Sequence, residues 1–449
     1  MENLTCLAEG CVFPTNLNET GINANEIIVG PTRCGKTASV VEPKLLHTYN
    51  GSLIVSLTKR ALVDKYAPMF QKRGYEVWDL NLAEPGIGNI AYDPMDFIET
   101  ERDIIQLAST IVGGEPSRGR EGEKDPYWNE SAISGLAAVI DLAVLGQKQE
   151  GKKAQFRDFY KLYSKLELDT SRDGNCTTNL DAGFDWADKH FPENQASRMW
   201  RTIRGNATRT AGCIYSIMNN AVDKLMSKEL LSAMESKQKR VSFEEMGNKK
   251  VVLFVTTSPV NKSQQKLATL FFADAFRVLY EYAEKQSNRE LPVPVHLVCD
   301  DFACGSIIPD FDEYISVFCA KGISTTLLLQ SESQLENMYG KHAATTIINN
   351  CDTYLYMGGM DDTTCQNISK RRNVPVEEVY SMPLEQVVLF RRGAKPVVSR
   401  RYQTYEDPEY KQLTEKPVGS REVDSEKKRR TKVHEPECRE ERGNQMKIA

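Results

Sequence analysis

The chain has 449 residues, 40% of them hydrophobic and 27% charged, and a formal net charge of -5. That length implies two or three domains, or one large domain with an insertion, and the composition can bury a substantial core. The acidic balance excludes a nucleic-acid coat over the whole surface, so any such contact must be a local patch.

Taken in chain order, the N-terminus does not resemble a signal peptide. Strand and helix alternate over the first 95 residues: a strand at Glu26–Val29, a helix after a glycine loop, a strand at Ser52–Leu57, a helix over about 59–73 and a strand at Tyr75–Leu80. This order predicts a parallel sheet with right-handed crossovers. From about Met95 to Arg240 helical periodicity replaces strand-like runs, broken by the polar stretch 113–126. The region reads as an all-α insertion. Its longest apolar stretch, Gly135–Gly146, is interrupted by Asp141. It is too short for a membrane span and is expected to be a buried helix.

Short apolar runs return at Lys250–Ser258 and then, after a long helix, within "VHLVCDD", "ISTTLLLQ", "DTYLYMG" and "EQVVLFRR". They suit buried parallel strands. After about Thr414 a mixed-charge tail is expected to be disordered. The expected organisation is one α/β nucleotide-binding domain in two parts, 1–95 and 241–412, around an all-α insertion, 96–240, with a tail at 413–449. The eleven cysteines follow no disulfide-framework or zinc spacing and read as small buried hydrophobes of a reducing compartment.

The run "GPTRCGKT", Gly30 to Thr37, fits G-x-x-x-x-G-K-[ST] between a predicted strand and a predicted helix. Gly30 and Gly35 let the backbone curl so that its N–H groups face inward, and the helix N-terminus adds positive potential. The expected nucleotide-binding stretch is Gly30, Pro31, Thr32, Arg33, Cys34, Gly35, Lys36, Thr37 and Ala38. Arg33 and Cys34 contribute backbone there, without catalytic roles. Lys36 is expected to reach the β- and γ-phosphates of ATP, and the Thr37 hydroxyl to bind Mg²⁺.

Two acids, Asp300 and Asp301, end the run "VHLVCDD". Asp300 is expected to hold Mg²⁺, directly or through water, and Asp301 to polarise the attacking water. The competing reading is a solvated strand end. Gln330 ends the next strand, where an amide reads the γ-phosphate and positions the water.

Several of these pieces together resemble the TraG-type coupling ATPases of bacterial conjugation and type IV secretion: "GPTRCGKTASVVEPKLL", "KRGYEVWDLNLAEP", "DPYWNESA", the long run from "PVPVHLVCDDFACG" to "INNCDTYLYMGG", and "RYQTYEDPEY". The likeness covers about residues 5 to 412. It implies a RecA-like P-loop NTPase domain with an inserted all-α domain, and a homo-hexameric ring with ATP and Mg²⁺ between subunits. It also implies DNA-stimulated ATPase activity that drives relaxase-bound DNA, single-stranded, toward a secretion channel. Relaxase and channel proteins would be partners, and the inner face of the bacterial cell membrane the location.

Four departures from the family pattern stand out. The chain begins just before the P-loop strand, where the family usually carries membrane-spanning helices, so the expectation is either a form without a span of its own, recruited by a membrane partner, or a missing segment. Asp301 stands where the family has Glu, and Lys321 where it often has Arg. If position 321 acts in trans as an arginine finger, lysine keeps the charge but loses the planar fork. The second strand runs into "SLTKRAL" in place of an Asp-Pro-Lys-Gly type turn. These changes motivate a second reading, a slow or non-catalytic ATP-binding adaptor. A third is a general FtsK-like DNA translocase.

The run "SRMWRTIRGNATRTAG" carries Arg198, Arg201, Arg204 and Arg209 with no acid among them. Spacings of three put the first three on one helical face, a candidate phosphate-tracking strip, with Trp200 stacking on a base or packing internally. The alternative is a solvated face whose acidic partners lie elsewhere.

Overall fold

The computed structural model describes residues 2–414, apart from 59, 85, 114–126, 170–175, 227–229, 232–233, 235–237, 259–261, 301 and 303–306. Met1–Gln403 form one compact unit and Thr404–Ala449 a second, whose described part is a 3-10 turn, Thr404–Glu406, and a helix, Pro408–Thr414. The expected disorder of the tail concerns 415–449, which lie outside the described residues.

The strands are β1 (Leu4–Ala8), β2 (Cys11–Pro14), β3 (Glu26–Val29), β4 (Ser52–Leu57), β5 (Glu76–Asn81), β6 (Ile90–Ala91), β7 (Leu168–Asp169), β8 (Thr177–Thr178), β9 (Lys239–Arg240), β10 (Val251–Thr256), β11 (Val295–Cys299), β12 (Ile323–Leu329), β13 (Thr353–Tyr356), β14 (Gln386–Arg391) and β15 (Val397–Arg400). Nine of them form the main sheet in the order β15-β14-β13-β3-β12-β11-β4-β10-β5. All neighbours from β13 to β5 are parallel. Every residue of β3, β4 and β10 is buried, because helices cover both faces.

The early strands are parallel as expected but are not neighbours. β12 and β11 from the late sequence separate β3 from β4, and β10 separates β4 from β5. One expectation is corrected: β14 pairs antiparallel with β13, and β15 antiparallel with β14. A two-helix connection turns the chain back before β14, and apolar periodicity carries no information on strand direction. The β1–β2 hairpin also went unread.

The region expected to be the insertion leaves and re-enters the sheet through a neck. There β6 and β9 pair in parallel and Val241 N–H donates to the Ala91 carbonyl. Among the described residues, the region's elements are helices apart from β9 and a two-residue antiparallel pair, β7–β8. Its central helix, Tyr127–Gln149, is long and apolar enough to cross a membrane, but 67% of its most apolar window is buried inside the protein. It packs against the helices Glu101–Val112, Gln195–Arg204 and Thr208–Leu225. Gly135 permits that approach, since a Cβ there would lie 2.9 Å from Met218 Sδ.

Asp141 sits in the middle of this helix at 6% exposure and accepts a hydrogen bond from the Ala196 N–H. Burial pushes its carboxyl up to about 6. The folded state therefore holds this proton more tightly than the unfolded chain, and wild-type stability falls as pH rises from about 4 through 6. Asp141→Asn removes that dependence. Its advantage over wild type should grow by about 2 kcal/mol between pH 4 and pH 7.5, read from denaturant midpoints. An advantage independent of pH would contradict this account.

Candidate nucleotide site

The candidate site lies at the C-terminal edge of three adjacent parallel strands. β3 delivers the glycine loop, β12 delivers Gln330 and β11 delivers Asp300, with Gln330 between the other two. Residues paired across β3 and β12 end level, Val29 beside Leu329. The order in space is therefore loop, amide, acid, although the order in sequence is loop, acid, amide.

Positive φ at Arg33 (68°) and Gly35 (95°) gives the loop its curl. Gly30 has no room for a side chain: a Cβ would lie 2.7 Å from Cys34 Sγ and 2.9 Å from Met357 Cβ. The helix after the loop starts as a five-residue π-turn, Thr37–Val41, in which Glu42 N–H donates to the Thr37 carbonyl, and continues as α-helix Glu42–Leu46. Pro43 brings no N–H, and the turn before it widens accordingly.

Beneath the loop a buried polar core ties this helix to the sheet. Lys44 Nζ is 2.7 Å from Glu26 Oε2 at the start of β3. Thr5 and Thr326 hydroxyls donate to the same carboxylate. Burial pushes Glu26 up, but the Lys44 ammonium and the hydrogen bonds from Lys44 and Thr5 outweigh it and hold the group below its usual range. His296 lies between the Ser324 and Thr326 hydroxyls, at 2.7 and 2.8 Å. Burial, with Lys44 nearby, pulls it down to about 3, so it stays a neutral imidazole. Sequence reading missed this core. The buried Glu opening an apolar strand was its one local sign.

Lys36 is 7% exposed, and its ammonium donates to the carbonyls of Gly30 (2.5 Å) and Pro31 (3.1 Å). Thr37 Oγ1 donates to Asp300 Oδ2 at 3.3 Å, which joins the first and second elements of the expected site across 263 residues. The Gln330 N–H donates to Gln334 Oε1 at 3.4 Å. Asp301 lies outside the described residues. Thr32 and Ala38 belong to the loop and to the first helical turn as expected.

Lys321 is not brought to this edge. It precedes β12, at the opposite end of the sheet, and its ammonium donates to Glu284 and, at 3.3 Å, to the Arg289 carbonyl. Any role in ATP chemistry must be toward a neighbouring copy.

The arginine strip has partners within the chain. Arg198 meets Glu101 (3.3 Å), Arg201 meets Asp188 (3.9 Å), and Arg204 meets Asp181 (3.5 Å) and Asp185 (3.0 Å). Arg209 is exposed on the next helix. Trp200 is 1% exposed, stacked on Phe184 at 4.5 Å, and donates to Asp181 Oδ1, so it packs internally and cannot stack on a base. This geometry favours the structural role. Replacing Arg201 and Arg204 by alanine together should leave the salt slope of DNA binding unchanged in filter binding. A slope smaller by about one per residue would restore the phosphate-tracking role.

A phosphate loop at the end of a central parallel strand, with an acid and an amide on the next two strand ends, defines a RecA-like P-loop NTPase fold. Residues 11–372 match the family described as type IV secretory system conjugative DNA transfer, and the chain belongs to that family. Among curated proteins it is similar to Protein VirD4 of Rhizobium radiobacter, at 22% identity over 89% of this chain and 60% of the relative. It is likewise similar to Protein VirD4 of Agrobacterium fabrum, at 22% identity over 78% and 49%. The chain thus spans about half to three fifths of the length of these relatives. Among solved structures, the unbound monoclinic form of the bacterial conjugative coupling protein TrwBdeltaN70 has a TM-score of 0.64 at 12% identity, covering 91% of each chain. TrwB in complex with ADP and Mg²⁺ has a TM-score of 0.60 at 13% identity, covering 84% and 85%.

Proposed function

We propose that the chain binds ATP with Mg²⁺ at this strand edge and hydrolyses it to dock relaxase-bound DNA and drive it toward a type IV secretion channel. The observation that carries the reading is the Thr37–Asp300 contact beside Lys36, with Gln330 on the strand between. Family membership supports the coupling role, and the ADP–Mg²⁺ complex of the TrwB neighbour supports the ligand.

The oxygen donors fit Mg²⁺: the Thr37 hydroxyl and the Asp300 carboxylate, 3.3 Å apart, would hold it together with phosphate and water oxygens. Bound Mg²⁺ would neutralise charge on the β- and γ-phosphates. In this reading the Lys36 ammonium leaves the Gly30 and Pro31 carbonyls for phosphate oxygens, the loop amides cradle the phosphates, and Gln330 orients the attacking water. Lys321, at the other end of the sheet, would act only across a subunit boundary, which agrees with a homo-hexameric ring held at the inner face of the cell membrane.

One observation favours the adaptor reading. The Lys321 ammonium is already engaged by Glu284, so an in-trans role requires that pair to open. Turnover of ATP by the purified chain, measured against protein concentration with and without single-stranded DNA, separates the two. Turnover that rises steeply with concentration and with DNA supports the motor with a shared site. ATP binding without turnover supports the adaptor.

A further inference from the structure

Arg401 follows β15, and its guanidinium lies on the phosphate loop: Nη1 donates to the Cys34 carbonyl at 3.2 Å. The approach depends on glycine, since a Cβ on Gly35 would lie 2.9 Å from that nitrogen. The backbone of Arg401 is fixed from two sides. Its N–H donates to the Glu385 carbonyl at 2.8 Å, and it bridges to Ala8 of the N-terminal hairpin. Glu385 Oε1 lies 3.7 Å from Nη2, a half-exposed contact that orients the side chain weakly.

The Cys34 carbonyl and the Gly35 N–H belong to one planar trans peptide, so they point in opposite directions. A cation that holds the carbonyl on one side holds the N–H toward the other. It also polarises the peptide, which makes that N–H a stronger donor. Gly35 at φ 95° has little intrinsic preference for this orientation, so the peptide is free to flip without an external hold.

We propose that Arg401 is an intrasubunit positioning residue for the phosphate loop. It fixes the Cys34–Gly35 peptide so that the Gly35 N–H is presented to the phosphates, and it touches neither phosphate nor water itself. This rests on the reading of Gly30–Thr37 as the nucleotide site and assigns that site a residue from the far end of the same unit. The hold is built from the N-terminal hairpin and the last strand together, so the loop is completed by segments hundreds of residues away.

The test is the Kd of the full chain for a fluorescent non-hydrolysable ATP analogue with Mg²⁺, in wild type, Arg401→Ala, Arg401→Lys and Lys36→Ala. Arg401→Ala should weaken binding about tenfold, the worth of one charge-assisted hydrogen bond. Arg401→Lys, which keeps a charged donor, should recover most of that loss. The nucleotide-free unfolding midpoint should match wild type in both, which separates positioning from a general structural role. Unchanged affinity in Arg401→Ala while Lys36→Ala abolishes binding overturns the role of Arg401 alone. Unchanged affinity in Lys36→Ala overturns the nucleotide site itself. If Arg401→Ala does not fold, Arg401→Lys decides: affinity as weak as that of Lys36→Ala would make Arg401 a phosphate ligand and overturn positioning.

Discussion

Lys36→Ala should lower ATP turnover by about 100-fold or more, as loss of one preorganised cationic donor does, with the nucleotide-free unfolding midpoint moved by less than about 4 °C. The ammonium is 7% exposed and is held by the Gly30 and Pro31 carbonyls, so it waits within reach of the cradle. In the proposed function phosphate oxygens would replace those carbonyls when nucleotide binds, and the charge would then act where the γ-phosphate leaves. Alanine removes that charge without touching β3 or the buried Glu26–Lys44 pair that anchors loop and helix from below. The cost to the empty chain is two hydrogen bonds to carbonyls that loop motion can rehydrate, each worth about 1 kcal/mol. Turnover within tenfold of wild type would remove Lys36 from the chemistry and leave the motif a structural turn.

Arg277→Ala should destabilise the fold by about 3–5 kcal/mol, the cost of leaving buried carboxylates without their cation. Arg277 is 6% exposed on the helix Lys262–Lys285. It bonds Asp103 Oδ1 at 2.8 Å, the Phe97 carbonyl at 2.8 Å and Asp274 Oδ1 at 3.2 Å. Asp103 belongs to the helix Glu101–Val112 and caps it through Thr100, so one guanidinium fastens that helix to Lys262–Lys285. Asp274 also accepts from the Tyr92 hydroxyl next to the neck. Even with Arg277 present, burial pushes Asp274 up to about 6. Without it, Asp274 must protonate or open to water, so the loss should be larger at pH 8 than at pH 5. Chemical denaturation at the two pH values checks both size and sign. A loss below about 1 kcal/mol would mean the region is held by apolar packing alone.

The two predictions mark the two kinds of information in this chain. The phosphate loop was legible because its chemistry is local: strand, two glycines, lysine and helix start lie within about a dozen residues, and backbone sterics act at that range. Asp300 and Gln330 were legible because each follows an apolar strand, and parallel strands that end within two residues of one another bring such residues to one edge. The acidic partners of the arginine strip were not legible, because the run carries no acid, while Glu101, Asp181, Asp185 and Asp188 lie on other helices. Arg401 was visible only as the first residue of "RYQTYEDPEY". Nothing in that run points to a loop 367 residues earlier.

By itself the sequence determined the class of fold, the eight-residue glycine loop after β3, the strand ends beside it and the helices described in the central region. These follow from periodicity, turn sterics and charge placement between near neighbours in the chain. Only the tertiary structure decided the strand order, the antiparallel direction of β14, the burial of Trp200, the placing of Lys321 away from the site and of Arg401 on it. Each depends on which distant segments share a surface. That choice is made by the summed burial of the whole sheet and its helices, and no short window of residues contains it.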